Sequence, residues 1–143
     1  MARHGGRRPV IPRCTWCRTT LGTLILYAVE AGASACGWGY HACPGCLAAE
    51  RLVPFAHHPA MARGPRMRYP DVVPAALLRR LALLGDDPRL TPVVRRLLAA
   101  DARLRDRRTP PPDRHAAGAL LRSALLDLRT LARGGLTTAE GAP

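Results

Sequence analysis

Cys14-Thr15-Trp16-Cys17 and Cys43-Pro44-Gly45-Cys46 share one spacing and stand 25 residues apart. A C-x-x-C turn places two sulfurs on the same side of a tight backbone reversal. Two such turns brought together supply four thiolates at the spacing of a tetrahedral structural metal site. An all-sulfur shell selects soft or borderline ions, so Cys14, Cys17, Cys43 and Cys46 are expected to bind structural Zn²⁺. Cys36 and His41 lie between the pairs. Either could replace a ligand, but a buried strand cysteine and a polar strand side chain are the simpler reading. His57-His58 could pair with His4 or His115, yet adjacent residues in extended backbone point opposite ways, which argues against a joint site.

The second group with chemical potential is basic. The 143 residues carry 22 Lys plus Arg, every one an arginine, against 10 acids, for a formal net charge of +12. Asn and Gln are missing as well, a bias that a GC-rich coding sequence would produce and that discounts part of the arginine excess. The charge is nevertheless unevenly placed. Residues 1–18 hold five Arg and residues 51–70 hold four, with no acid in either stretch. Arg7, Arg8, Arg13 and Arg18, with Arg63, Arg66 and Arg68, have the chemistry to neutralise phosphates, and Trp16 in the first knuckle could stack on a base. The competing reading is a solvated tail and linker, with Trp16 covering the sulfurs or shielding a hairpin.

Several classes are disfavoured. Five cysteines in paired C-x-x-C form, with a long cysteine-free second half, do not make a disulfide scaffold. Arg7-Arg8, the apolar run 21–29 and Ala33-Ser34-Ala35 loosely imitate a signal peptide. Glu30 and Gly32 interrupt the apolar stretch, and residues 21–40 make a poor membrane span. A cytoplasmic protein without membrane contact is expected. There is no phosphate-cradling glycine loop, nucleophile elbow or acid–base pair, so no catalytic residue is assigned.

The elements that must position the cysteines follow from local pattern. Residues 1–12 read as a basic arm and 13–53 as the metal module. Within the module, Leu24–Val29 and Gly37–Ala42 form a β-hairpin across turn-forming residues 30–34, and a short helix follows Cys46. Residues 54–74, with five prolines, two histidines and Arg63, Arg66 and Arg68, read as a linker. Three helices then fill 75–134. Ala75–Leu84 stops at Gly85. A second helix opens on Thr91-Pro92 and runs to about Arg108. A third spans Asp113 to Arg133 and ends at Gly134-Gly135, leaving 135–143 as a tail. Together these give an α+β chain: a Cys₄ zinc module with a hairpin and short helix, followed by a helical bundle. A helix-turn-helix fits less well, because the connector 85–90 exceeds the usual three or four residues.

Cys14-x-x-Cys17, a hairpin, then Cys43-x-x-Cys46 opening a helix resembles the zinc-ribbon and treble-clef class of zinc fingers. The first knuckle and Cys43-Pro44-Gly45-Cys46-Leu47 are similar to those of GATA-type fingers, with a longer gap between them. Tyr40 to Cys46 also resembles the second knuckle of the iron-binding rubredoxins. Arg18 and Leu47 stand where rubredoxins place glycine. The resemblance covers about a third of the chain and implies a metal site. The function expected is a small nucleic-acid-binding regulator, with DNA favoured over RNA and the helices serving dimerisation or a protein partner. The alternatives are a protein-interaction adaptor with leucine-faced helices, and a thiol redox protein.

Overall fold

The computed structural model describes residues 11–31 and 37–137; the basic arm through Val10, Cys36 and most of the hairpin turn lie outside them. Strand β1 (Ile25–Glu30) pairs antiparallel with β2 (Trp38–Ala42), and helix α1 (Pro44–Ala49) follows directly. Among the described residues three longer helices follow: α2 (Ala75–Leu84), α3 (Leu90–Arg105) and α4 (Pro111–Thr137). This is the α+β arrangement expected from the pattern of the sequence.

Two apolar clusters hold these elements. The smaller joins Cys14, Ile25, Tyr27, Ala28, Ala42, Leu47 and Leu52 to Ala82 of α2. The larger joins Leu77, Leu78 and Leu81 of α2 to Leu90, Val94 and Leu97 of α3 and Ala124 and Leu128 of α4. Ala48 touches both clusters, so the short α1 is the joint between the hairpin module and the helices. Gly85 caps α2 with φ 57°, and the Ile25 side chain lies against it, which docks the end of that helix on β1.

The segment 54–74 does not behave as a solvated linker. Val53, Tyr69 and Val73 belong to the larger cluster. Residues 51–53 run antiparallel to 67–69 through Val53 N–H to Met67 O (2.9 Å) and Tyr69 N–H to Arg51 O (2.8 Å). Arg51, just past α1 with φ 57°, donates from Nη2 to the carbonyls of Pro70 and Val73 at 2.6 and 2.8 Å. A 3-10 turn, Phe55–His57, then buries both histidines. The prolines set turns within a packed structure.

Helix ends differ from expectation for identifiable reasons. Asp87, not Thr91, organises the start of α3: its carboxylate accepts from Arg89 N–H and its carbonyl from Leu90 N–H, both at 3.0 Å. Thr91 is committed elsewhere, its hydroxyl lying 2.8 Å from His57 Nδ1. The helix stops at Arg105 because Asp106 turns extended (φ −74°, ψ 113°) and its carboxylate takes Arg108 N–H. At the far end Gly134 keeps out of the left-handed region and α4 continues to Thr137. Glycine permits a helix cap without compelling one.

His57 and His58 act as neutral polar struts. Nε2–H of His57 donates to Gly85 O at 3.0 Å while Nδ1 accepts from the Thr91 hydroxyl, tying the turn to α2 and α3 at once. Nε2–H of His58 donates to Val53 O at 3.0 Å, and its Nδ1 is buried without a partner. Burial holds both rings below the usual histidine value of 6.5; for His57 it outweighs the Gly85 carbonyl and the nearby Asp86 and Asp87. With folded-state values below the unfolded ones, the unfolded chain binds more protons in acid. Stability is therefore complete above pH 6.5 and falls as the pH drops below it, by at most about 1.4 kcal/mol per pH unit for each ring. Denaturant melts at pH 7.5, 6.5 and 5.5, with metal content measured at each, should show this decline. A His57→Gln/His58→Gln variant should be less stable at pH 7.5 and flatter over the range.

Candidate metal centre

The first knuckle is a turn closed by Cys14 N–H to Thr19 O (2.9 Å) and Arg18 N–H to Cys14 O (3.0 Å). Arg18 carries φ 63°, a left-handed conformation that glycine enters without penalty and arginine does not. Thr15 anchors the turn to the hairpin. Its N–H and its hydroxyl both donate to His41 O, at 3.0 and 3.1 Å, and its oxygen accepts from the Tyr27 hydroxyl at 3.0 Å. Tyr27 sits at an irregularity in the β1–β2 register, between Leu26 and Ala28, where one residue is left unpaired. That irregularity lets Tyr27 pack on Trp16 at 5.3 Å between ring centroids.

The second knuckle opens α1. Cys43 is its N-cap, accepting Cys46 N–H on sulfur at 3.5 Å, and Pro44 occupies the first turn, where its missing N–H costs no helix bond. The hairpin returns this knuckle beside the first, and the four sulfurs of Cys14, Cys17, Cys43 and Cys46 all lie within 4.8 Å of one another. Cys17 Sγ and Cys43 Sγ are 3.7 Å apart. Zn–S bonds of about 2.3 Å in a tetrahedron separate sulfurs by about 3.8 Å, so the arrangement fits a four-thiolate metal shell. Cys36 lies outside the described residues. The His41 ring sits beside Gly39 and is not part of the sulfur cluster.

The electrostatics of the cluster favour a cation. Burial opposes ionisation of Cys14, but backbone N–H groups of Cys43, Cys17 and Trp16 outweigh it and bring the thiol to about 6. Cys46 is pushed up to about 12, by burial first and then by the Cys43 and Cys14 sulfurs. Four thiols this close cannot all ionise together unless a positive ion compensates them.

The basic residues singled out in sequence are dispersed around this centre. Arg13 and Arg18 are exposed on and beside the first knuckle, and Trp16 is half-buried against the small cluster. Arg63 and Arg66 are exposed on the 59–66 stretch, which hangs on β1 through Val29 N–H to Gly64 O (2.9 Å). Arg68 is engaged with Glu50, donating to its carbonyl at 3.2 Å and lying 3.7 Å from its carboxylate. Arg7 and Arg8 lie outside the described residues.

Sequence reasoning missed a cleft of about 410 Å³ between the hairpin and residues 64–66, lined by Thr15, Tyr27, Glu30, Tyr40 and Arg66 among others. The alternation of large and small residues at Trp38-Gly39-Tyr40 was its available signal. Among the described residues no helix is long and apolar enough to cross a membrane. Comparison with protein-family models, with curated proteins and with solved structures finds no match to this chain.

Proposed function

We propose that this chain is a nucleic-acid-binding protein of zinc-ribbon or treble-clef type, whose four cysteines hold a structural Zn²⁺. The carrying observation is the convergence of two C-x-x-C knuckles on one point in a chain of net charge +12. Zinc is the ion that a closed shell of four thiolates most commonly takes. It would fix the hairpin and α1, leaving Arg13, Arg18, Arg63 and Arg66 to meet phosphates; DNA is the expected ligand. Because both C-x-x-C pairs join one cluster, neither is left as a separate redox turn, which favours the metal reading over thiol exchange.

The test is a gel-shift series with DNA and RNA over increasing salt, using the zinc-loaded protein. Four phosphate contacts should make log affinity fall with log salt at a slope of roughly −3, and each Arg→Gln substitution at positions 13, 18, 63 and 66 should flatten it by about 0.7–0.9. No shift at the lowest salt would remove the reading. The adaptor alternative draws on one feature: Leu83 is 72% exposed beside an apolar groove between α1 and α2 that Ala48 and Leu78 also line. A Leu83→Ser variant that loses a partner while nucleic-acid binding is nil would favour it.

A further inference from the structure

On one face of the hairpin, Glu30 stands opposite Trp38 and Ala28 opposite Tyr40. Directly opposed residues of an antiparallel pair project to the same side, so Trp38, Tyr40 and Glu30 share a surface, with the small Ala28 beneath Tyr40. Trp38 is 66% exposed and Tyr40 37%. Two neighbouring aromatic rings exposed on a five-residue strand form an apolar platform that the other described residues do not cover. Tyr27, turned toward this side at the register irregularity, backs Tyr40 with 6.4 Å between ring centroids.

The polar groups around the platform converge. The Tyr40 hydroxyl donates to Glu30 Oε2 at 2.6 Å, which fixes the ring and the carboxylate together, and among the described residues no donor takes Oε1. Arg66 lines the same cleft from the opposite wall, and no acidic group among the described residues pairs with it. A volume of about 410 Å³ falls in the range of sites that take a small planar ligand.

We propose that this cleft takes an unpaired nucleobase of single-stranded nucleic acid, stacked on Tyr40, with Trp38 carrying the next base and Arg66 the intervening phosphate. The proposal rests on the nucleic-acid reading above and adds strand type and site to it. A π-face for the base, an acceptor for its N–H edge and an unpaired guanidinium for the backbone are the three contacts that single-strand recognition combines. A duplex cannot supply them, because its bases are already stacked and their edges paired. The carboxylate also works against a purely phosphate-binding role for the cleft.

The experiment measures binding of the zinc-loaded protein to a labelled single-stranded DNA, the RNA of the same sequence, and the blunt DNA duplex. The expected result is tighter binding of a single strand than of the duplex. Trp38→Leu and Tyr40→Leu should each weaken single-strand binding at least about 5-fold while leaving the duplex affinity unchanged. Arg66→Gln should flatten the single-strand salt slope by about 0.7. Quenching of tryptophan fluorescence on binding, lost in Trp38→Phe, provides a readout that does not depend on affinity. Trp38 is well exposed, so zinc content and melting midpoint of Trp38→Leu should match the parent, whereas Tyr40→Leu also gives up the Tyr27 contact and the Glu30 hydrogen bond and is compared at a temperature where it is folded. Should Tyr40→Leu fold poorly, Trp38→Leu and Arg66→Gln decide the matter. Duplex binding at least as tight as single-strand binding, or unchanged single-strand affinity in Trp38→Leu and Tyr40→Leu, overturns the cleft and leaves the broader reading standing. Failure of the parent protein to bind either strand type overturns both.

Discussion

Cys14→Ser should abolish stoichiometric zinc binding and unfold the hairpin module while most of the helical signal persists. Cys14 is fully buried, sits in the small cluster and lies in a bridge with His41, so its sulfur belongs to the core as well as to the candidate metal site. That cluster is made of Cys14, Ile25, Tyr27, Ala28, Ala42, Leu47, Leu52 and Ala82, too little apolar surface to order a hairpin on its own. Structural zinc sites contribute about 10–16 kcal/mol of apparent binding free energy, which becomes folding free energy when the site does not pre-exist. The larger cluster, by contrast, is carried by α2, α3 and α4 with Val53, Tyr69 and Val73. Metal analysis, near-ultraviolet dichroism of the Trp16–Tyr27–Tyr40 group and far-ultraviolet dichroism separate the two responses. His41→Gln should retain a full equivalent of zinc. Full zinc in Cys14→Ser, or loss of zinc in His41→Gln, would break the ligand assignment.

What the sequence made legible was whatever repeats at short range. Two C-x-x-C turns announce four sulfurs because each turn is a local object, and the hairpin between them is bounded by its own turn residues. The limits of α2 at Ala75 and Leu84 follow from a leucine stripe and a glycine cap. Contacts that depend on partners distant in the chain were hidden. Thr91 looks like a helix cap until His57, 34 residues away, takes its hydroxyl. Arg68 looks free for phosphate until α1 places Glu50 beside it. Arg51 looks like a surface charge, yet it satisfies two carbonyls ahead of α2. The cleft beside Tyr40 escaped for a related reason: its far wall, Gly64 to Arg66, comes from a proline-rich stretch whose composition resembles a solvated linker.

That stretch supplies the second large effect. Gly64 has φ +93°, and a Cβ there would overlap the Val29 carbonyl oxygen. The backbone of Gly64 lies this close because its own carbonyl accepts Val29 N–H at 2.9 Å along the free edge of β1. Gly64→Ala would combine a disfavoured backbone conformation with expulsion of that edge contact, for a loss of about 2–4 kcal/mol and a fall in melting midpoint of roughly 10 °C. Gly45→Ala is the matched comparison. It lies in helix α1 with open space around the added methyl, so alanine there should be neutral or stabilising by up to about 1 kcal/mol. Calorimetry on the two zinc-loaded variants should therefore give shifts of unequal size and opposite tendency. Equal shifts would mean that 59–66 is not held against β1. A selective loss in Gly64→Ala would instead show that one carbonyl on the strand edge fixes the far wall of the cleft, and single-strand binding should then weaken in that variant even at temperatures where it is fully folded.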